Sequence, residues 1–166
     1  MNRRMALARI SQSSLAGAAL AGCGFKLRGD QNFAFQTLAV MPNPGGPLAT
    51  ELRRSFGAAV RVLDTDAPLA QAQVVIDIVQ EQREKTVVGV NSSGQVREFQ
   101  LRIRVKFRVR TPQGQELVPV AEILQQRDIS FNESAVLAKE AEEVLLYRDM
   151  QSDIVQQLMR RLAAVK

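Results

Sequence analysis

Residues 101–110 read Leu-Arg-Ile-Arg-Val-Lys-Phe-Arg-Val-Arg, an unbroken alternation of apolar and basic side chains. A period of two is that of a β-strand, whose successive side chains point to opposite faces. Leu101, Ile103, Val105, Phe107 and Val109 therefore line one face. Arg102, Arg104, Lys106, Arg108 and Arg110 line the other. A strand of this kind belongs to a sheet covered on one face and polar on the other, and the rest of the chain has to supply the cover.

The neighbouring segments extend the sheet. Val74 to about Val88 reads as a long strand, Asn91-Ser92-Ser93-Gly94 as a turn, and Val96 to Arg110 as the second long strand. Thr111-Pro112-Gln113-Gly114-Gln115 is the next turn, and Leu117 to about Phe131 the third strand, with Pro119 pointing to a bulge or an edge. Fully extended, residues 96–110 would span ~50 Å at 3.3 Å per residue, so the outer ends near Asn91–Gly94 are expected to project beyond the helix-covered part. Upstream, Thr37–Met41 is a short strand stopped by Pro42 and Pro44. Pro47 opens a short helix with Leu48, Leu52 and Phe56 on one face and Gly57 at its end. Val60-Arg61-Val62-Leu63 can add a small strand.

The closing segment, about Ala135 to Ala163, has the pattern of a long amphipathic helix. Leu137, Ala141, Val144, Leu145, Ile154, Leu158 and Leu162 form an approximate apolar stripe, expected to pack on the sheet rather than on a membrane. Glu140, Glu142 and Glu143 come early and Arg160 and Arg161 late, the order that complements a helix dipole. The expected fold is α+β: two helices on one face of a largely antiparallel sheet of about four strands, in the order β-α-β-β-β-α.

The first 22 residues have a different character. Arg3, Arg4 and Arg9 precede an apolar stretch from Leu15 to Ala21, and Leu20-Ala21-Gly22-Cys23 closes it. This tetrapeptide resembles the bacterial lipobox. The resemblance implies that the leader is cut before Cys23, that the cysteine sulfur takes a diacylglycerol and that the new amine is acylated. The alternative is an ordinary signal peptide with a stray cysteine. Each buried methylene contributes ~0.8 kcal/mol, so a doubly lipidated Cys23 would hold the protein at a membrane. No other run reaches the ~18 apolar residues of a spanning helix. Gly24, where an aspartate would stand in lipoproteins retained at the inner membrane, implies by the same resemblance the outer membrane, with the body in the periplasm. The expected organisation is a lipoprotein signal peptide over 1–22, a lipidated tether over 23–36 and a single domain over 37–166.

Composition narrows the chemistry. The formal charge of +5 belongs partly to the leader: without Arg3, Arg4 and Arg9, Lys plus Arg falls from 22 to 19 against 17 acids, or +2. The chain has no histidine, and its one cysteine is Cys23. A Ser-His-Asp or Cys-His arrangement cannot be built, and zinc loses its usual ligands. No phosphate-binding glycine loop or nucleophile elbow is present, and no spacing singles out a carboxylate pair. We expect no catalytic residue, no metal site, no cofactor and no enzyme activity.

The basic strand face is the clearest functional candidate. Same-face neighbours stand ~7 Å apart, within the ~8 Å screening length of physiological salt, so the five cations repel. Either acids compensate them, with Glu116 facing Arg110, Glu122 facing Arg104 and Glu81 or Glu84 helping from the other side, or a polyanionic partner does. Nucleic acid fits poorly, because aromatics are few and the compartment is wrong. A phosphorylated lipid or a polar protein surface such as a barrel lumen fits better. Lys139, near the start of the long helix, is a second candidate. Arg53 and Arg54 read as the charged outer face of a surface helix.

Taken in order, several short motifs resemble the LptE family of lipopolysaccharide-assembly lipoproteins. They are the lipobox cysteine followed by Gly24-Phe25-x-Leu27-Arg28-Gly29, Gly46-Pro47-Leu48 at the first helix, the glycine-containing turn before Gln95, Glu98-Phe99-Gln100, and Leu137-Ala138-Lys139. The resemblance implies a plug in the lumen of an LptD-type outer-membrane barrel that assists barrel assembly and contacts lipopolysaccharide. It implies a lipopolysaccharide contact at Lys139. The family's turn can carry a basic residue, whereas Asn91–Gly94 has none and Arg97 is the nearest cation, so part of that contact is expected to shift to the Arg102–Arg110 stripe. The competing expectation is an accessory lipoprotein of another envelope complex, such as barrel-folding machinery, with no glycolipid contact.

Overall fold

The computed structural model of the chain describes residues 31–64 and 66–166. The leader, Cys23 and the first part of the expected tether lie outside the described residues.

Strands β1 (Thr37–Met41), β2 (Arg61–Val62), β3 (Val74–Val90), β4 (Val96–Arg110) and β5 (Glu116–Ser130) form one sheet in the order β2-β1-β3-β4-β5. Helix α1 spans Pro47–Ser55 and helix α2 spans Val136–Ala163. The α+β class stands, with one strand more than four and a mixed sheet: β1 runs parallel to both β2 and β3, while β3, β4 and β5 form an antiparallel meander. The parallel pairs follow from the short helix, which carries the chain back so that β2 re-enters beside β1 in the same direction.

Both helices lie on one face of the sheet. Leu48, Leu52 and Phe56 at α1, and Met150, Ile154, Leu158 and Leu162 on α2, close over Leu38, Val40, Ile76 and the odd-numbered face of β4 from Leu101 to Val109. Packing begins before residue 37. Phe35 is buried, and the ring of Phe33 lies 5.4 Å from that of Phe35 and 5.3 Å from that of Phe56, so the last residues of the expected tether belong to the core. The opposite sheet face is not bare throughout. Leu63 and Ala72, at either end of the β2–β3 connection, cover Ala39 and Val75 with a small apolar cluster.

The apolar stripe of α2 divides in two. Its C-terminal half is core, but Leu137, Val144 and Leu145 are 82%, 67% and 57% exposed, against the expectation that they pack on the sheet. Length is the reason. The 28 residues of α2 extend ~42 Å and the nine of α1 only ~14 Å at 1.5 Å per residue, so the short helix flanks only part of the long one, with Glu51 bonded to Gln151 near its middle. The open end of the layered core thus lies at the start of α2. There β3 carries Val87, Val88 and Val90 about half exposed towards the Asn91–Gly94 turn, consistent with a hairpin that outruns its cover.

Candidate functional site

The alternation of β4 is realised as read: Leu101, Ile103, Val105, Phe107 and Val109 are fully buried, and the five cations occupy the outer face. Which acids meet them is decided by two bulges. On β3 an extra residue, Val79, stands between the pairs Ile78↔Phe107 and Gln80↔Lys106. It inverts the alternation, so Asp77 shares the outer face with Arg108 while Glu81, opposite Val105, turns inward. Glu81 therefore cannot compensate the stripe. Its carboxylate stands at the start of α1 instead, beside Gly46; burial holds its carboxyl above the ordinary value, against the Arg83 charge and the nearby Leu48 backbone N–H. Glu84 is registered with Arg102 but makes no ion pair with it among the described residues.

On β5 the irregularity is made of two one-residue shifts, on either side of Val118 and next to Pro119, on the edge strand, as that proline suggests. Arg110 pairs with Glu116 as expected, but beyond the bulge the register is shifted by two. Glu122 then faces Lys106, and Arg104 faces Leu124, correcting the expected Glu122–Arg104 pairing. Glu122 still approaches Arg104 diagonally, at 4.0 Å.

The stripe is consequently uneven. Asp77, which sequence reasoning missed, takes two arginines: Arg108 Nε donates to Oδ2 at 2.7 Å and Arg110 Nε to the same oxygen at 2.9 Å. Burial raises the Asp77 carboxyl, but the hydrogen bonds and charges of Arg110 and Arg108 outweigh it and leave it below the usual aspartate value. Arg102 donates to Gln100 at 2.7 Å. The Nε of Arg104 is buried without a hydrogen-bond partner, and Lys106 makes neither an ion pair nor a hydrogen bond among the described residues. The stretch from Arg102 to Lys106 is thus the part whose charge is least satisfied, Arg104 alone having an acid within reach.

Lys139 lies elsewhere. Its Nζ donates to Ser130 Oγ at 3.0 Å and to Glu142 Oε2 at 2.8 Å, tying the first turn of α2 to the end of β5. The stripe occupies the sheet face that α2 does not cover, so the structure does not gather Lys139 and the five strand cations into one site. Lys139 instead borders a cavity of about 250 Å³ between α2 and the sheet, together with Lys85, Phe99, Ile129, Phe131 and Val136.

Arg53 departs from its reading as a solvated helix residue. Its guanidinium reaches under the loop after β1, donating to the carbonyls of Val40, Pro42 and Pro44 and to Asn43 Oδ1. Burial lowers its pKa from the ordinary arginine value.

These features define a two-layer α+β protein with one sheet face closed by helices and the other left as a polar, basic surface. The chain belongs to the LptE lipopolysaccharide-assembly family, whose model matches residues 35–162. The LPS-assembly lipoprotein LptE of Yersinia enterocolitica is 29% identical over 154 residues, which cover 91% of this chain and 73% of the relative. That of Pectobacterium atrosepticum is 29% identical over 149 residues, covering 87% and 79%. Among solved structures, an uncharacterised lipoprotein B from Nitrosomonas europaea superposes with a TM-score of 0.73 at 35% identity, covering 85% of this chain and 91% of that one. The rare lipoprotein B from Shewanella oneidensis shares the fold, with a TM-score of 0.65 at 21% identity over 78% and 95%.

Proposed function

We propose that this protein is an outer-membrane lipoprotein, anchored through Cys23, that plugs and helps assemble an LptD-type barrel and binds lipopolysaccharide during its export. Membership of the LptE family supports the assembly role. The observation that carries the glycolipid reading is the middle of the basic stripe. Asp77 occupies Arg108 and Arg110, while Lys106 has no partner among the described residues and Arg104 only Glu122, at 4.0 Å. Arginine forks match phosphate oxygens. The long β3–β4 hairpin, with its tip beyond the helix layer, suits insertion into a lumen.

The test is affinity purification of the tagged, lipidated protein from detergent-solubilised outer membranes. A large barrel in near one-to-one ratio, carrying lipopolysaccharide, is the expected result. Recovery with barrel-folding components and no glycolipid would favour an accessory role instead. An Arg104→Gln/Lys106→Gln variant, which leaves the Asp77 pairs intact, should bind lipopolysaccharide more weakly at unchanged stability. Equal affinity would make the stripe structural.

A further inference from the structure

The open end of the core combines an apolar recess with two cations that are already engaged. Phe99 and Phe131 meet edge to face at 5.2 Å and, with Ile129 and Val136, line the cavity of about 250 Å³ between the first turns of α2 and the sheet. Val87, registered with Phe99 and therefore on the same sheet face, extends this apolar surface outward and is about half exposed. Pockets that enclose a whole small molecule run to about 300–1,000 Å³, so this recess accommodates part of a larger ligand.

Its polar rim is made by Lys85, Lys139, Ser130, Glu140 and Glu143. Lys85 Nζ bonds Glu143 Oε2 at 2.6 Å and sits 4.4 Å from the centroid of Phe99. Lys139 Nζ bonds Glu142 Oε2 at 2.8 Å. Two consecutive glutamates of α2 thus each hold one lysine at the mouth of the same apolar cavity. Exposed lysine–carboxylate pairs contribute little to stability, so an incoming anion can replace the carboxylates at small cost. A ligand that fills the recess and satisfies the lysines needs an apolar tail next to an anionic group.

We propose that this cavity receives the end of one acyl chain of a phosphorylated lipid, with Lys85 and Lys139 transferring from Glu143 and Glu142 to its phosphate. The inference rests on the glycolipid reading above and adds Lys85, the Phe99–Phe131 recess and the two competing carboxylates to it. Glu142 and Glu143 act as internal competitors that hold the cations in place and weaken binding until a phosphate displaces them.

The test measures binding of the full protein to a tetra-acylated lipid A in detergent micelles, alongside the same lipid stripped of its phosphates. The parent should prefer the phosphorylated form. Lys85→Met, which keeps the stem over Phe99, should lower affinity about tenfold, a tenth of the original association constant. Glu143→Gln should raise it for the phosphorylated form alone, a selectivity that apolar surface exposed by misfolding does not produce. Val136→Phe, which fills the recess, should weaken binding of both lipid forms. If the parent binds but Lys85→Met and Glu143→Gln leave its affinity unchanged, the seat is refuted and the glycolipid reading stands. If the parent binds neither form, the glycolipid reading fails and the seat fails with it.

Discussion

Gly46 and Glu81 compete for one volume at the start of α1. A Cβ on Gly46 would lie 2.9 Å from Glu81 Oε2, whose carboxylate stands beside the first turn of the helix. The helix has no side-chain cap of its own, and its N-cap residue is this glycine. A carboxylate from the sheet therefore stands at this uncapped helix start, where the dipole favours an anion, and the glycine is the space it needs. Gly46 has φ −83°, which any residue can adopt, so sterics rather than backbone freedom set its identity.

The relationship predicts a non-additive pair. Gly46→Ala should push the carboxylate away from the helix start and cost about 0.3–1 kcal/mol, the usual worth of an anion at a helix N-terminus. In a Glu81→Ala background the same substitution should be neutral or stabilising, because alanine there only restricts the unfolded chain. A double-mutant cycle by urea denaturation reads this directly. Equal costs in both backgrounds would break the proposed link.

Asp77 makes the acid limb of stability depend on one site. Its carboxyl lies below the ordinary value in the folded protein, held there by Arg110 and Arg108 against the effect of burial. A depressed folded value means the contribution is complete above the unfolded pKa of ~3.9 and is lost as pH falls through the folded one. Asp77→Asn should cost about 1–3 kcal/mol at neutral pH, the range for hydrogen bonds to charged groups. The gap between parent and variant should close in acid. A gap that is undiminished at about pH 2.5, well below the unfolded carboxyl value, would mean that ionisation of Asp77 is not its source.

Much of this molecule is written in local pattern, and what is not follows from single inserted residues. The strands of the meander and the long helix can be read because alternation and capping are properties of neighbouring residues. The strand-pair register cannot, because irregularities at Val79 and on either side of Val118 act at a distance: one extra residue inverts a face, and two successive one-residue shifts move every later pairing by two. Hence Arg110–Glu116, beside the turn, is legible, whereas Glu122 opposite Lys106 and Asp77 opposite Arg108 are not. The candidate cations share that limit. Their common face is fixed by period two, but the uneven division between paired and unpaired members depends on β3. Lys85 escapes a sequence reading altogether, because its partner Glu143 lies 58 residues away on another element.

Arg53 should be irreplaceable by lysine. Its guanidinium gathers three backbone carbonyls and an asparagine oxygen from the Val40–Pro44 segment, four acceptors at angles a single ammonium cannot serve. Arg53→Ala should cost about 2–3 kcal/mol, since hydrogen bonds from a charged donor contribute up to that amount and the carbonyls lose their partner. Arg53→Lys should recover little of it in a thermal melt. Full recovery by lysine would show that charge alone is needed there, and a neutral Arg53→Ala would return the residue to the solvated surface.

The two halves of α2 should respond oppositely to polar substitution. Leu158 is fully buried in the core beneath α1 and the sheet, and Leu158→Ala should cost about 2–5 kcal/mol through lost burial and the cavity left behind. Leu137, Val144 and Leu145 belong to the same helix and the same sequence pattern, yet they are exposed and no second helix covers them. Leu137→Gln and Leu145→Gln should change stability by less than about 0.5 kcal/mol, as surface substitutions do. If these residues instead matter for assembly with the barrel, the substitutions should lower co-purification of the barrel while the isolated protein melts as the parent does. A destabilisation of the isolated protein comparable to that of Leu158→Ala would place these side chains in the monomer's core and contradict the division of the helix.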